Sequence, residues 1–164
     1  MSLNFRKVAA ILALACLPFA AAQTARPKLA PETYFGLNTL GGQVTYDTGR
    51  YALRLGVGGR TVLFVFANGV GADAAVLFPI TGTRDTPSRF SLGAGLDANA
   101  YFATLLDNPN GSGVYVLRPH VLAQYETRLS QRVTFFTEGS LGYAFSFNDG
   151  GIVYPGIKLG INFR

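Results

Sequence analysis

Over long runs of this chain, apolar side chains alternate with small or polar ones at every second residue, and no other feature constrains the fold as strongly. Leu92-Gly93-Ala94-Gly95-Leu96-Asp97-Ala98-Asn99 alternates cleanly, and residues 133–143 do so with Phe136 as the main exception. Ile157-Lys158-Leu159-Gly160-Ile161-Asn162-Phe163 closes the chain in the same way. A period of two places successive side chains on opposite faces of a strand, whereas a helix would repeat every three or four. After the Pro-containing stretch 26–31 no helical pattern stands out. The spacing predicts strands near 33–46, 51–58, 60–67, 70–79, 88–103, 113–128, 132–146 and 152–163, an all-β chain.

The segments between them carry turn chemistry. Asp47-Thr48-Gly49-Arg50, Gly58-Gly59, Asn68-Gly69 and Asn148-Asp149-Gly150-Gly151 are hairpin-type sequences. Asp107-Asn108-Pro109-Asn110-Gly111-Ser112-Gly113 reads as a longer polar loop, and Leu129-Ser130-Gln131 as a tight turn.

The first residues follow a different rule. Arg6 and Lys7 precede an apolar stretch from Val8 to Ala20, and Ala20-Ala21-Ala22 supplies small residues ahead of Gln23. That order is the layout of a secretory signal peptide, with an apolar core too short to span a bilayer as a helix. The expected organisation is a signal peptide over 1–22, a short periplasmic linker over 23–32 and one domain over 33–164. Ala13-Leu14-Ala15-Cys16 also resembles a lipobox, which would instead make Cys16 the acylated first residue of a lipoprotein. Cleavage after Ala22 leaves 142 residues without cysteine, so the exported chain lacks the disulfides on which small secreted domains often depend. Loss of Arg6 and Lys7 lowers the net charge from +5 to +3, and the absence of basic runs argues against nucleic acid as a partner.

Which face is apolar narrows the fold further. On the last strand Val153, Pro155, Ile157, Leu159, Ile161 and Phe163 share one face; Tyr154, Gly156, Lys158, Gly160 and Asn162 share the other. On 113–128 Tyr115, Leu117, Pro119, Val121, Ala123 and Tyr125 oppose Arg118, His120, Gln124, Glu126 and Arg128. A soluble sandwich alternates too. Here, however, the strands run well beyond the roughly 5–6 residues common in globular sheets. Tyr115 and Tyr125 bracket an apolar face as interfacial aromatics do. The polar faces are rich in Gly, Ser and Ala, as a narrow barrel interior requires. In lipid an open sheet edge leaves unpaired amides and carbonyls, so such a sheet must close on itself. An even strand count, eight, places both termini on the periplasmic side. The expectation is an antiparallel up-and-down transmembrane β-barrel in which Leu92, Leu96, Val121, Leu159, Ile161 and Phe163 face lipid. The loops 104–112 and 147–151 would then face outside.

Thr39-Leu40-Gly41-Gly42-Gln43-Val44-Thr45-Tyr46, followed by Tyr51-Ala52-Leu53-Arg54-Leu55-Gly56 and by the alternating C-terminal strand, resembles the small bacterial outer-membrane β-barrels of the OmpA membrane-domain and OmpX type. The resemblance is one of pattern over the whole exported chain. It implies outer-membrane lipids and the outer-membrane assembly machinery as partners, with envelope proteins as further partners through loops 104–112 and 147–151.

No metal-ligand spacing, phosphate loop or nucleophile elbow is present, and Gly93-Ala94-Gly95 and Gly56-Val57-Gly58 read as strand glycines rather than nucleotide sites. A turn at 129–131 would set Arg128 opposite Arg132, His120 opposite Ser140 and Ser140 opposite Lys158, with Asp97 opposite His120. An Asp97–His120–Ser140 row invites a hydrolase reading. The competing reading is structural, because an eight-stranded barrel is just wide enough for side chains to fill. The five cations Arg54, Arg89, Arg118, Arg128 and Lys158 roughly balance the four acids Asp73, Asp97, Glu126 and Glu138, and buried charges must pair. The sequence therefore favours a structural or interaction-type barrel, with Asp97, Arg118, His120, Glu126, Glu138, Ser140 and Lys158 forming a lumen network and no cofactor or metal required. The alternatives are a lipid A acyltransferase or deacylase and a small-solute channel. The deacylase match fails because Val121-Leu122, not x-Ser, follows His120. Pro119 and Pro155 would each remove a ladder donor and mark either a bulge or a lateral opening.

Overall fold

Antiparallel pairing of consecutive strands carries the alternation into a closed sheet. The computed structural model describes residues 28–37, 39–62, 67–103, 114–146 and 150–163. Among them the elements are β1 (Lys28–Gly36), β2 (Thr39–Asp47), β3 (Ala52–Val62), β4 (Ala67–Thr81), β5 (Ser88–Ala103), β6 (Val114–Arg128), β7 (Val133–Ser146) and β8 (Gly151–Phe163). Each strand pairs with the next, and β1 pairs with β8 to close an eight-stranded barrel. With an even count, Lys28 and Phe163 lie at the same end as the connections β2–β3, β4–β5 and β6–β7.

Inside and outside are inverted relative to a soluble protein. The interior holds buried Glu32, Gln43, Asp47, Arg54, Asp73, Arg89, Glu126 and Glu138, while Leu55, Val57, Val121, Leu141, Val153 and Ile157 are each more than half exposed on the outside. Leu92, Leu96, Leu159, Ile161 and Phe163 are likewise exposed on the outer face. Exposed aromatics sit near both strand ends: Phe102, Tyr115 and Tyr143 at one, Tyr46, Tyr125 and Phe163 at the other.

The second half of the chain forms strands close to those its alternation predicts, with β5 matching 88–103. The first half departs. Strand 33–46 is two strands, β1 and β2, joined through residues 37–38, and the expected linker to residue 32 already contains most of β1. Segment 51–58 runs on through Gly58-Gly59 to Val62 as β3, so that pair is strand and not turn. Asn68-Gly69 likewise lies inside β4, which already holds Ala67, and residues 63–66 of the expected strand 60–67 lie outside the described residues. The reason is space. A Cβ at Gly58 would lie 3.0 Å from the Tyr34 hydroxyl and 2.6 Å from the Leu40 carbonyl, so the glycine makes room for a large neighbour in a narrow lumen. The Asp47–Gly49 turn does form, with Gly49 at φ 87° and its N–H donating to Asp47 Oδ1 at 2.8 Å. The signal segment 1–22 and loop 104–112 lie outside the described residues, as do residues 147–149 of the other loop.

Of the four strand prolines, Pro119 and Pro155 differ in consequence. Pro119 turns its carbonyl toward Gly142 of β7, so its missing N–H faces β7, and Arg118 and Pro119 have no β7 partner in an otherwise constant register. Pro155 pairs with Leu141 in an unbroken β7–β8 ladder, so its nitrogen faces the other way.

Candidate functional site

The lumen is where the polar side chains converge. At mid-height Arg54, 1 % exposed, is the hub. Its Nη1 donates to Glu138 Oε2 and to Gln124 Oε1 (2.9 Å), and its Nε lies 3.9 Å from Asp73 Oδ2. Asp73 also faces Lys158 Nζ at 3.5 Å and Arg60 Nη2 at 3.7 Å, and accepts from the Tyr34 hydroxyl at 3.3 Å. Lys158 reaches Glu138 Oε1 at 3.9 Å and stands 4.8 Å over the Tyr34 ring. Pairs at 3.5–3.9 Å leave Lys158 Nζ, Asp73 Oδ2 and Glu138 Oε1 in ionic contact without a direct hydrogen bond among the described residues.

A lower tier lies toward the chain termini. Arg89 clamps Glu126 through Nε (3.1 Å) and Nη2 (2.9 Å) and donates to Asp47 through Nη1. Gln124 links the tiers by donating to Glu126 Oε1 at 2.8 Å. Glu32 accepts from Gln43 and from Asn162 Nδ2 (2.8 Å), and the fully buried Phe136 fills space beside Gly160.

The upper tier is different. Arg118 binds Asp97 Oδ2 through Nε (2.7 Å) and Nη2 (2.6 Å), contacts Ser140 Oγ at 3.4 Å and lies 5.8 Å from the centre of the Tyr154 ring. Above it the lumen opens into a vestibule of about 430 Å³, bounded by Arg60, Asn99, Tyr101, Tyr154 and Lys158 among others. Among the described residues, the side chains that meet across the lumen lie mainly in its lower and middle parts.

The seven lumen residues expected from sequence all project inward, but their mutual positions differ. The β6–β7 register sets His120 opposite Gly142 and Leu122 opposite Ser140; Ser140 faces Gly156, Lys158 faces Glu138, and Asp97 faces Arg118. Arg128 pairs with Thr134, not Arg132, because Leu129 and Ser130 both donate to the Val133 carbonyl and lengthen the turn. A two-residue slip preserves which face each side chain occupies while changing its neighbours. Arg128 itself is exposed and bonds the Arg84 carbonyl at 2.9 Å, so it does not belong to the lumen.

The Asp97–His120–Ser140 relay is not assembled. His120 Nδ1 lies 3.7 Å from Asp97 and 3.2 Å from the Arg118 carbonyl, while its Nε2 turns toward Gly95, where an added Cβ would sit at 2.7 Å. Ser140 Oγ is instead beside Arg118 and Gly156. Among the described residues no group of three or more His, Cys, Asp and Glu is placed to hold a metal ion.

Sequence reasoning missed Glu32, Tyr34, Asp47 and Arg60. The sequence pattern places Glu32 in the linker, Asp47 in a turn and Arg60 at the start of a separate strand; the even parity of Arg54, continued through Gly56 and Gly58, is the signal that places Arg60 inside.

A closed eight-stranded antiparallel barrel with a charged interior and an apolar exterior is the fold of the small outer-membrane barrels. The chain is similar to the N-terminal β-barrel domain of Pseudomonas aeruginosa OprF, at 17 % identity and a TM-score of 0.63 over 84 % of this chain and 98 % of that one. Neisserial surface protein A matches at 11 % identity and TM-score 0.56, over 83 % of this chain and 94 % of that one. Acinetobacter baumannii CarO matches at 13 % identity and TM-score 0.51, over 87 % and 99 %. No protein-family model matches the chain. No curated protein matches it either.

Proposed function

We propose that the protein is a structural or interaction-type barrel of the bacterial outer membrane, with a lumen closed to steady ion flow and no catalytic site. The observation that carries this reading is the inversion itself: apolar side chains on the outer face, paired charges within. A continuous apolar exterior is stable only against hydrocarbon, because in water so large a patch would drive association. The fold shared with OprF, neisserial surface protein A and CarO supports an outer-membrane location. The signal-peptide layout of residues 1–22 supports export. The Arg54–Glu138 and Arg89–Glu126 tiers support closure, since ions crossing the lumen would have to displace paired, buried side chains.

Fractionation and electrophoresis test the placement. The protein is expected in the outer-membrane fraction, resistant to carbonate extraction, migrating faster unheated than boiled. Recovery in the soluble periplasm would overturn the reading. Lipid A analysis of cells with and without the protein tests the enzyme alternative, and a lost or gained acyl chain that depends on His120 or Ser140 would establish it.

A further inference from the structure

Among the described residues the β1–β8 seam stops short of the full height of β8. β1 pairs with β8 from Glu32–Asn162 up to Gly36–Lys158, and the last contact of this seam is Leu37 N–H to the Ile157 carbonyl at 3.3 Å. β8 continues for six residues beyond Ile157, to Gly151, and among the described residues this stretch pairs only with β7. Because the Ile157 carbonyl faces β1, alternation makes Pro155 and Val153 face the same way, so the backbone of both borders the gap above Leu37. Pro155 is the residue whose nitrogen can present no donor there. A proline on an unpaired edge discourages another strand from adding to it, which keeps a gap open instead of sealing it.

The gap opens at the level of the upper aromatic band and leads inward. Val153 (61 % exposed), Leu37 (53 %) and Ile157 (51 %) rim it on the outer face, beside Tyr143 of the upper aromatic band. Inside it is the 430 Å³ vestibule, whose wall includes Leu37, Tyr154, Pro155 and Gly156. Immediately behind Gly156 stands Arg118. Its side chain is 10 % exposed, and its Nη1, which makes no hydrogen bond among the described residues, would lie 3.0 Å from a Cβ at Gly156. Arg60 and Lys158 also border the vestibule; with their partners counted, Arg54, Arg60, Arg118 and Lys158 face Asp73, Asp97 and Glu138, which leaves one cation in excess for an anion.

We propose that this gap is a lateral portal and that Arg118 is the anchor of a binding site for a single-chain carboxylate amphiphile. The carboxylate sits in the vestibule on Arg118 Nη1, and the hydrocarbon tail leaves between Leu37 and Pro155 into the outer leaflet. An apolar slot next to a buried guanidinium matches a molecule with one charged end and one chain. This inference rests on the membrane reading above.

The test is photo-crosslinking of the full-length protein in phosphatidylcholine vesicles, with palmitate carrying a mid-chain diazirine as the probe. Labelled residues are mapped by mass spectrometry. Label is expected to concentrate on Leu37 and residues 153–157 relative to Leu96, and to be competed by palmitate but not by hexadecanol. Arg118→Gln removes the charge-assisted hydrogen bond and is expected to lower that ratio about tenfold. Leu37→Trp, which leaves Arg118 untouched but crowds the exit between Leu37 and Pro155, is expected to lower it comparably. Both variants are checked for the fast unheated gel band before labelling. A ratio near one, or one unchanged in both folded variants, shows annular lipid contact only and overturns the portal. Competition by hexadecanol equal to that by palmitate overturns the anionic anchor. Failure of the protein to float with the vesicles would instead overturn the membrane reading.

Discussion

Arg54 shows how a charge is kept inside a lumen this narrow. Three strands bring Glu138, Gln124 and Asp73 to a guanidinium that is 1 % exposed, so no lone partner neutralises it. Removing Glu138 leaves a buried cation short of a counter-charge and also strips Lys158 of one acid. Glu138→Ala is expected to destabilise the barrel by about 3–5 kcal/mol, the usual cost of breaking a buried pair. Urea titration in lipid vesicles, scored by the unheated gel band, measures it. The double variant Arg54→Leu with Glu138→Leu removes both charges and should recover much of that loss, because Asp73 keeps Arg60 and Lys158. A double variant less stable than Glu138→Ala would count against the pairing argument. Most members of this site are legible from parity alone: Asp97, Glu138 and Lys158 fall on the small-residue face of their strands. Which of them touch is not legible, because partner choice depends on the length of one turn. The Leu129 and Ser130 bonds to Val133 move every β6–β7 partner by two positions without moving any side chain off its face.

At the scale of the strand, β5 through β8 are readable because uninterrupted apolar residues mark the outer face, and β1 through β4 are not because glycine has two meanings. Gly58-Gly59 and Asn68-Gly69 look like turns. In a narrow barrel the same residues mark where Tyr34 or Tyr101 crosses the lumen. The outer face yields a depth-dependent prediction. Leu96 and Leu159 lie in the middle of β5 and β8, so Leu96→Arg and Leu159→Arg should each cost about 2–4 kcal/mol, whereas Tyr115→Arg in the upper aromatic band should cost about 0–1 kcal/mol. Equal small effects at all three positions, measured in vesicles, would mean that the outer face meets water. Pro119 offers a complementary change. Pro119→Ala restores an N–H directed at the broken stretch of the β6–β7 ladder, and a gain of about 0.5–1.5 kcal/mol is expected if the ladder closes. An unchanged or lower stability would show that the interruption is compensated by other contacts.

Among the described residues the molecule combines an upper vestibule, a mid-height charge cluster and a lower ring, and the proposed closure of the lumen rests on the last two. The order matters for conductance. Loss of Glu138 loosens the middle cluster but leaves Arg89 held by Glu126 and Asp47 beneath it, with Phe136 fully buried alongside. One defect therefore does not make a pore. Arg89→Ala alone frees Glu126 and Asp47 but leaves the Arg54–Glu138 contact in place above. The intact protein and both single variants should give few or no steady single-channel events in planar bilayers. Glu138→Ala combined with Arg89→Ala removes one cation and one anion, preserving net charge while opening both levels. It should conduct steadily, and the current should favour cations, since Asp47, Glu126, Asp73 and Glu32 remain on the walls against Arg54, Arg60 and Lys158. Large steady currents from the intact protein would show that the tiers do not close the lumen. A silent double variant that still migrates as a folded barrel would place the barrier outside these two tiers.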